Sequence, residues 1–335
     1  MWRWFFLICT ACRGYYGSAD ASRTGPDDGS DADLEITIDG DGDSDTDADA
    51  GPTHLTEEPA DCTEVLEGNH DILDVDDIAA IAGICEITGS LQIAYTDLTD
   101  LDGLSELTSV GDLYVNHNES LENIDGLSGL TSVGGFLQIL NNDQLTDIDA
   151  LSGLESTQLL SIGFNASLSD VDGLSGLRSA EFLYFRQNDA LTHLDSLSGV
   201  TSPLVALSVE YHSSLVNIDG LSGIPSVEGM VFVEANSVLA NLDGFSGLTS
   251  VGQINVAWNP ALTEVDGFSN VTEVAGQVSV VENIGLTSLA GLYGVPYVSD
   301  LVVRRNAALC QSRVDDFVAF ITVGGVNIGA NDDGC

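Results

Sequence analysis

The stretch LENIDGLSGLTSVGGFLQILNNDQL, residues 121–145, contains one whole copy of a unit that repeats along most of the chain. Each copy is 23 or 24 residues long and carries an Asp-Gly-Leu or Asp-Gly-Phe step. The nine step positions are Asp102, Asp125, Asp149, Asp172, Asp195, Asp219, Asp243, Asp266 and Ala290, and Ala150 and Ser196 replace the glycine in two copies. A fixed period of this length predicts a solenoid, because no single coil can bury its apolar side alone.

A second motif, Leu-x-Val/Ile-x-x-Asn, recurs in phase with the first. Its polar positions are Asn118, Asn142, Asn165, Asn188, His212, Asn236, Asn259, Asn283 and Asn306. Alternation over the Leu-x-Val part predicts a strand with one buried face, whereas apolar residues spaced by three predict segments that keep turning the chain. The sequence therefore predicts closed coils joined by a parallel sheet, with the asparagines satisfying turn amides.

Segments that differ from the repeat occupy both ends of the predicted solenoid. A strand-like stretch follows Cys62, residues 76–84 have helical composition, and Cys85 precedes the first regular strand. At the other end, residues 311–321 predict a helix, residues 323–328 predict a strand, and Cys335 closes the chain. Capping segments of this kind cover the apolar surface and free sheet edge of terminal coils.

The run from Cys62 through Cys85 into Ile87-x-Gly89-x-Leu91-x-Ile93 resembles the start of a receptor L domain, and the likeness extends over residues 62–335. This family forms leucine-rich-repeat-like ligand-binding lobes of growth-factor receptors. The resemblance implies an all-β, right-handed parallel β-solenoid of about nine 23- to 24-residue coils with helix-containing disulfide caps. It also implies the pairs Cys62–Cys85 and Cys310–Cys335 and an extracytoplasmic location. Growth-factor binding is not carried over, because this chain has more coils than the receptor lobes.

The N-terminal part predicts export. Residues 1–19 combine Arg3 with a short apolar run, which is typical of a signal peptide and too short to span a bilayer. Cys12 follows Thr10-Ala11 as in a lipobox, so lipidation at Cys12 predicts an outer-membrane or cell-surface lipoprotein. Cleavage after Ala21 would instead release a secreted protein. Residues 20–61 form an Asp-rich linker with too little apolar content to fold alone.

The chain carries 53 acidic against 8 basic residues, for a formal net charge of −45, and it contains no lysine. Such a charge repels nucleic acid and anionic lipid, so we expect no nucleic-acid partner and membrane contact only through an N-terminal lipid. The aspartates of residues 41–49 fail the EF-hand pattern. We predict no cofactor and no metal site, beyond weak attraction of calcium, for instance between Asp147 and Asp149.

The candidate binding residues occupy outward positions of the predicted strands, where the copies differ most. They are Tyr114, Phe164, Tyr184, Arg186, Tyr211, Phe232, Trp258 and Arg304. Exposed aromatic rings on a rigid sheet suit a protein or glycan ligand. The sequence therefore predicts a noncatalytic cell-surface binding or adhesion protein with an extracellular protein or glycan as partner. The alternatives are a structural envelope spacer and, third, a polysaccharide-acting β-helix enzyme; we predict no enzyme, because the acids follow the repeat and no catalytic motif is present.

Overall fold

The computed structural model describes residues 64–335, and these form a repeat solenoid built on one parallel sheet of 15 strands. The strands are β1 Val65–Leu66, β2 His70–Ile72, β3 Glu86–Ala94, β4 Ser109–Asn116, β5 Ser132–Val133, β6 Phe136–Leu140, β7 Leu159–Gly163, β8 Phe182–Arg186, β9 Ala206–Glu210, β10 Ser226–Glu234, β11 Ser250–Ala257, β12 Glu273–Val274, β13 Gln277–Val281, β14 Tyr297–Arg304 and β15 Thr322–Gly329. The main path runs β1-β3-β4-β6-β7-β8-β9-β10-β11-β13-β14-β15, while β2, β5 and β12 pair at its side. The predicted all-β solenoid with a parallel sheet is confirmed.

The sheet is longer than the nine repeats because both caps join it. Helix α1, Val75–Ala80, follows β2, and β1 and β2 both pair with β3. At the other end, α2, Gln311–Phe320, leads into β15, which pairs with β14 over its length. The terminal coils of the described region are therefore covered by their own strands and helices, which leaves less free edge for association with another chain.

The core lies inside the coils and follows the alternation of the strands. In β6, Leu137 and Ile139 point inward and are fully buried, while Gln138 between them faces outward. The same two inward positions are filled in every neighbouring coil, so the buried side chains form one continuous cluster. Burying each such side chain contributes on the order of 1.5–3 kcal/mol, which makes the stack the main source of stability.

The period-three segments form short 3₁₀ helices on the side of the coil away from the sheet. Their bounds are Asp125–Leu127, Asp149–Gly153, Asp172–Leu174, Asp195–Gly199, Asp219–Gly223, Asp243–Phe245, Asp266–Phe268 and Ala290–Leu292. A 3₁₀ helix has three residues per turn, which explains why every third side chain is apolar and buried. The glycine of the Asp-Gly-Leu step permits close stacking, since a Cβ at Gly126 would collide with the Leu101 carbonyl of the preceding coil.

A ladder of buried amides connects the coils at the end of each strand. This asparagine ladder consists of Asn118, Asn142, Asn165, Asn188, His212, Asn236, Asn259, Asn283, Asn306 and Asn331. Oδ1 of Asn165, for example, accepts the backbone N–H of Asn142 at 3.0 Å, while its Nδ2 donates to the carbonyl of Ile139 at 2.9 Å. The predicted role of the asparagines in satisfying turn amides is thus seen directly, and Asn331 extends the ladder into the C-terminal cap.

Candidate binding face

The residue before each ladder position, and Tyr95 before Thr96 one coil earlier, adopts a left-handed backbone conformation, although none of these residues is glycine. This left-handed row is Tyr95, His117, Asn141, Phe164, Gln187, Tyr211, Ala235, Trp258, Glu282, Arg305 and Ala330, with φ between 50° and 61°. The conformation costs a residue with a Cβ about 1–2 kcal/mol. It is held because the residue still donates its N–H to the next coil, as Tyr211 does to the Glu234 carbonyl at 2.8 Å. The turn also carries the following asparagine into the interior.

The left-handed row projects its side chains from the edge of the outer sheet face. Tyr95 and His117, in adjacent coils, stack with ring centroids 4.7 Å apart and planes 6° from parallel. That distance matches the separation of neighbouring strands, about 4.8 Å. Successive row side chains therefore project in the same direction, one above another.

All eight candidate binding residues lie on this outer face or its row. Tyr114, Tyr184, Arg186, Phe232 and Arg304 occupy outward strand positions, and Phe164, Tyr211 and Trp258 belong to the left-handed row. Trp258 is 51% exposed and Tyr211 is 39% exposed. Tyr114, Phe164, Tyr184, Phe232 and Arg304 are half-buried, and Arg186 is exposed.

Only some of the candidates form one patch. Counting strands along the sheet, Arg304 lies five steps beyond Arg186, about 24 Å away, and Tyr114 lies three steps before Tyr184, about 14 Å away. Phe164, Arg186 and Tyr211 are in direct contact, because the guanidinium carbon of Arg186 lies 5.6 Å from the Phe164 ring centroid and 5.3 Å from that of Tyr211. Both distances are within the range of cation–π attraction.

Two glutamates complete this patch, and sequence reasoning missed them. Glu210 and Glu234 follow Arg186 in register on the next two strands. They are only 5% and 8% exposed. Glu234 accepts a hydrogen bond from the Tyr211 hydroxyl at 2.8 Å, and Glu210 accepts one from the Ser208 hydroxyl. We call Phe164, Arg186, Glu210, Tyr211 and Glu234 the Arg186 cluster.

The electrostatics of the Arg186 cluster reflect the burial of its acids. Burial raises the pKa of Glu234, an effect that Glu210 reinforces and that the Tyr211 hydrogen bond and Arg186 oppose. The hydrogen bond to Glu234 is also the main cause of the raised pKa of Tyr211, and burial alone raises the pKa of Tyr184. Within residues 64–335 no carboxylate forms an ion pair with Arg186, which is exposed.

A signal for these glutamates was present in the sequence. At the equivalent position other coils carry Ala94, Asn116, Leu140, Gly163, Ala257, Val281, Arg304 and Gly329. Three consecutive charged residues there, Arg186, Glu210 and Glu234, interrupt a column that is otherwise neutral except at Arg304. Their burial could not be foreseen, because outward strand positions are ordinarily solvated.

The repeated aspartates of the Asp-Gly-Leu steps act as backbone donors. The acceptor is the side chain of the residue two positions earlier. Asp147 accepts the backbone N–H of Asp149 at 3.4 Å, and Asp170 accepts that of Asp172 at 3.2 Å. Burial first, and neighbouring carboxylates second, raise the pKa of Asp149 and of Asp219.

Within residues 64–335 three potential metal ligands meet at one place, Cys310, Asp332 and Cys335. The two cysteines are joined in a disulfide with a Cα–Cα distance of 5.7 Å, so their sulfur atoms are not free to bind metal. This disulfide was implied by the family resemblance. Cys85 is also disulfide-bonded. Cys62 and Cys12, with the signal and linker predictions, lie outside the described residues.

None of the helices in the described region has the length and apolar character needed to cross a bilayer. Two shallow cavities there, of about 410 and 210 Å³, lie away from the Arg186 cluster. The larger is lined by main-chain and small polar groups around Ser132, Ser156 and Ser179.

No protein-family model matches the chain, and no curated protein matches it. Among solved structures, it is similar to a leucine-rich repeat protein from Bacteroides eggerthii DSM 20697, with 11% sequence identity and a TM-score of 0.30. The match covers 76% of this chain and 61% of that chain, so this chain spans less than two thirds of that protein's length.

Proposed function

We propose that the protein is a noncatalytic cell-surface binding or adhesion protein that recognises an extracellular ligand with the outer face of its sheet. The observation that carries this proposal is the Arg186 cluster. It holds a guanidinium between two rings beside two buried carboxylates, at a position where the other described coils, except that of Arg304, have neutral side chains.

The cluster is not required by the fold. Burying a carboxylate costs free energy even when it is hydrogen-bonded, and neighbouring coils stack in the same register with alanine, glycine or valine at this position. A preorganised group of aromatic, cationic and anionic side chains is, by contrast, typical of the centre of a binding surface.

The test is a binding screen of the full-length, oxidised protein against extracellular proteins and glycans, followed by variants. Arg186→Ala and Trp258→Ala are each expected to lower the affinity for a saturable ligand at least tenfold. Arg178→Ala is the matched control, because it removes the same charge at a site away from the outer face. At that site Arg178 donates a hydrogen bond to the Ser175 carbonyl at 2.9 Å. Melting temperatures of all variants establish that they are folded.

Two results would contradict the proposal. Absence of any saturable ligand for the folded protein would favour the structural-spacer alternative. Turnover of a polysaccharide, abolished by Glu210→Gln or Glu234→Gln, would favour the enzyme alternative, since paired carboxylates are the groups that glycoside hydrolysis needs.

The surface location is part of the same proposal and rests on the signal-like N-terminus and the Cys12 motif. Mass spectrometry of the mature N-terminus tests it. A lipid on Cys12 would support the lipoprotein, and an unmodified start at Ser22 would support the secreted form. Retention of residues 1–19 would contradict export.

A further inference from the structure

The left-handed row places aromatic rings on every second coil in the middle of the solenoid. Its consecutive members are Phe164, Gln187, Tyr211, Ala235 and Trp258, all with similar positive φ. Two strand steps separate successive rings, about 9.6 Å along the sheet. This is enough space for one flat group between two rings.

The first of these two gaps is filled by the protein's own cation. The guanidinium of Arg186 lies over the rings of both Phe164 and Tyr211. In this coil the row residue is Gln187, and Arg186 projects from the last position of β8. The arrangement shows that a guanidinium fits between rings two coils apart.

The second gap, between Tyr211 and Trp258, is also bounded by two aromatic rings. The residues that lie between its rings differ from those of the first gap. The row residue of the intervening coil is Ala235, which contributes only a methyl group. The position equivalent to Arg186 is Glu234, whose carboxylate bonds the Tyr211 hydroxyl, with Glu210 beside it. The next strand contributes Ala257, which is small.

We infer that the gap between Tyr211 and Trp258 binds an arginine side chain from a basic segment of a partner protein, with Glu234 as the counter-charge. The inference rests on the proposed function and names the partner's chemistry. A guanidinium is flat, stacks on aromatic faces and pairs with carboxylate through two N–H groups, and arginine is preferred over lysine for this reason. The net charge of −45 attracts a basic partner.

A glycan fits the gap less well. Sugar stacking would use the rings, but it gains nothing from the negative charge of Glu234 and Glu210. A cation uses both the ring faces and the carboxylates, and it lowers the cost of keeping those acids buried.

The experiment titrates the full-length, oxidised protein at physiological salt with a short arginine-containing peptide and measures binding by calorimetry. Length-matched peptides with lysine or with citrulline, a neutral analogue of arginine, are compared. We expect arginine to bind at least tenfold more tightly than lysine and citrulline to show no saturable binding.

Variants locate the site. Trp258→Ala and Glu234→Gln are each expected to lower the affinity for the arginine peptide at least tenfold. Ala235→Phe is expected to abolish binding of the peptide, because the new ring fills the gap. Ala330→Phe is the matched control, because Ala330 is a left-handed row residue in the last coil, with φ 55°. Glu282→Gln, whose partner is Arg305, controls for charge. Phenylalanine is accepted in the row at Phe164, so Ala235→Phe is expected to fold.

Equal affinity for the three peptides, or arginine binding unaffected by Ala235→Phe, would overturn the inference. If the screen finds a glycan or neutral protein surface whose binding needs Arg186 and Trp258, the proposed function stands and the arginine site is wrong. If neither the peptide nor any other ligand binds, both are wrong.

Discussion

The backbone nitrogen of Asn188 lies 3.3 Å from Nδ1 of His212, at a step where the rest of the described ladder places an asparagine Oδ1. The imidazole fills the same buried position as the amides, and its Nδ1 also lies 3.1 Å from the Asn188 carbonyl, so its tautomer sets which of the two main-chain groups it bonds. Its Nε2 has no well-formed hydrogen bond, although the Phe185 carbonyl is near enough to raise its pKa slightly. Histidine thus replaces asparagine in the ladder, but its Nε2 lacks a well-formed hydrogen bond.

Because the ladder has a histidine at position 212, we expect the stability of the protein to depend on pH. Burial lowers the pKa of His212 below its usual 6.5, outweighing the opposing effects of the Asn188 and Phe185 backbone groups and Asp189. Below pH 6.5 the unfolded chain therefore binds a proton that the folded chain does not. The free energy of unfolding is therefore at its full value above pH 6.5. As the pH falls below 6.5, the free energy of unfolding decreases by up to about 1.4 kcal/mol per pH unit, until the pKa of His212 in the folded protein is reached.

We expect His212→Asn to restore a regular ladder, raise the free energy of unfolding by about 1 kcal/mol at pH 7 and remove this loss below pH 6.5. Urea unfolding of both proteins at pH 7.5 and 5.5 measures it. His117→Asn, at an exposed row position where asparagine tolerates positive φ, is the control. An identical pH dependence in wild type and His212→Asn would contradict the prediction.

Replacing a residue of the left-handed row by glycine is expected to stabilise the folded protein. Ala235→Gly is expected to raise the free energy of unfolding by about 0.5–1 kcal/mol, because relief of the positive φ outweighs the added freedom of the unfolded chain. Ala257→Gly, at a buried strand position one coil on, is expected to lower it by about 1 kcal/mol. Denaturant melts compare the two, and destabilisation by both would show that the row is unstrained.

Removing a ladder amide is expected to cost more than removing an exposed one. Asn165→Ala leaves the Asn142 N–H without its partner in the interior and removes the amide bond to the Ile139 carbonyl, which predicts a loss of about 2–4 kcal/mol. Asn270→Ala, at the surface, is expected to change stability by less than about 0.5 kcal/mol. Hydrogen exchange at Asn142 reports the local opening, and unchanged protection there would contradict the assigned role.

Loss of the C-terminal disulfide is expected to loosen the cap. Replacing Cys310 and Cys335 together by serine frees a loop with a sequence separation of 25, which predicts a loss of about 3 kcal/mol. Thermal melting measures the loss, and hydrogen exchange shows whether it begins in β14 and β15. The double variant is preferable to a reductant, because Cys85 is also disulfide-bonded. A cap as protected in the variant as in wild type would contradict the prediction.

Calcium is expected to act on the aspartates only through ionic strength. Asp147 and Asp170 already accept backbone N–H groups, so binding a metal would compete with these turns. Melting temperatures in calcium and in magnesium at equal ionic strength are expected to agree. A saturable shift specific to calcium and absent in Asp147→Asn would identify a site that we do not expect.

The sequence was sufficient for the features that repeat. Inward positions such as Leu137 and Ile139 and the ladder position of Asn165 were predicted from spacing, because each recurs in every coil, and the helix after Cys310 was predicted from its composition. The features that were missed arise between coils. Phe164 and Trp258 have no intrinsic preference for positive φ, and they adopt it because the next coil accepts their N–H. Burial of Glu234 depends likewise on neighbours in other strands.

The asparagine ladder also gives the solenoid a direction. Each interior asparagine presents its Oδ1 to the coil before it and its N–H to the coil after it, so every interior coil except that of His212 offers the same donor and acceptor at the same height. Deleting one complete unit, from one ladder asparagine to the next, would reconnect matching groups and leave both caps unchanged. Chain length can therefore vary by whole coils, and with it the distance between the Arg186 cluster and either cap.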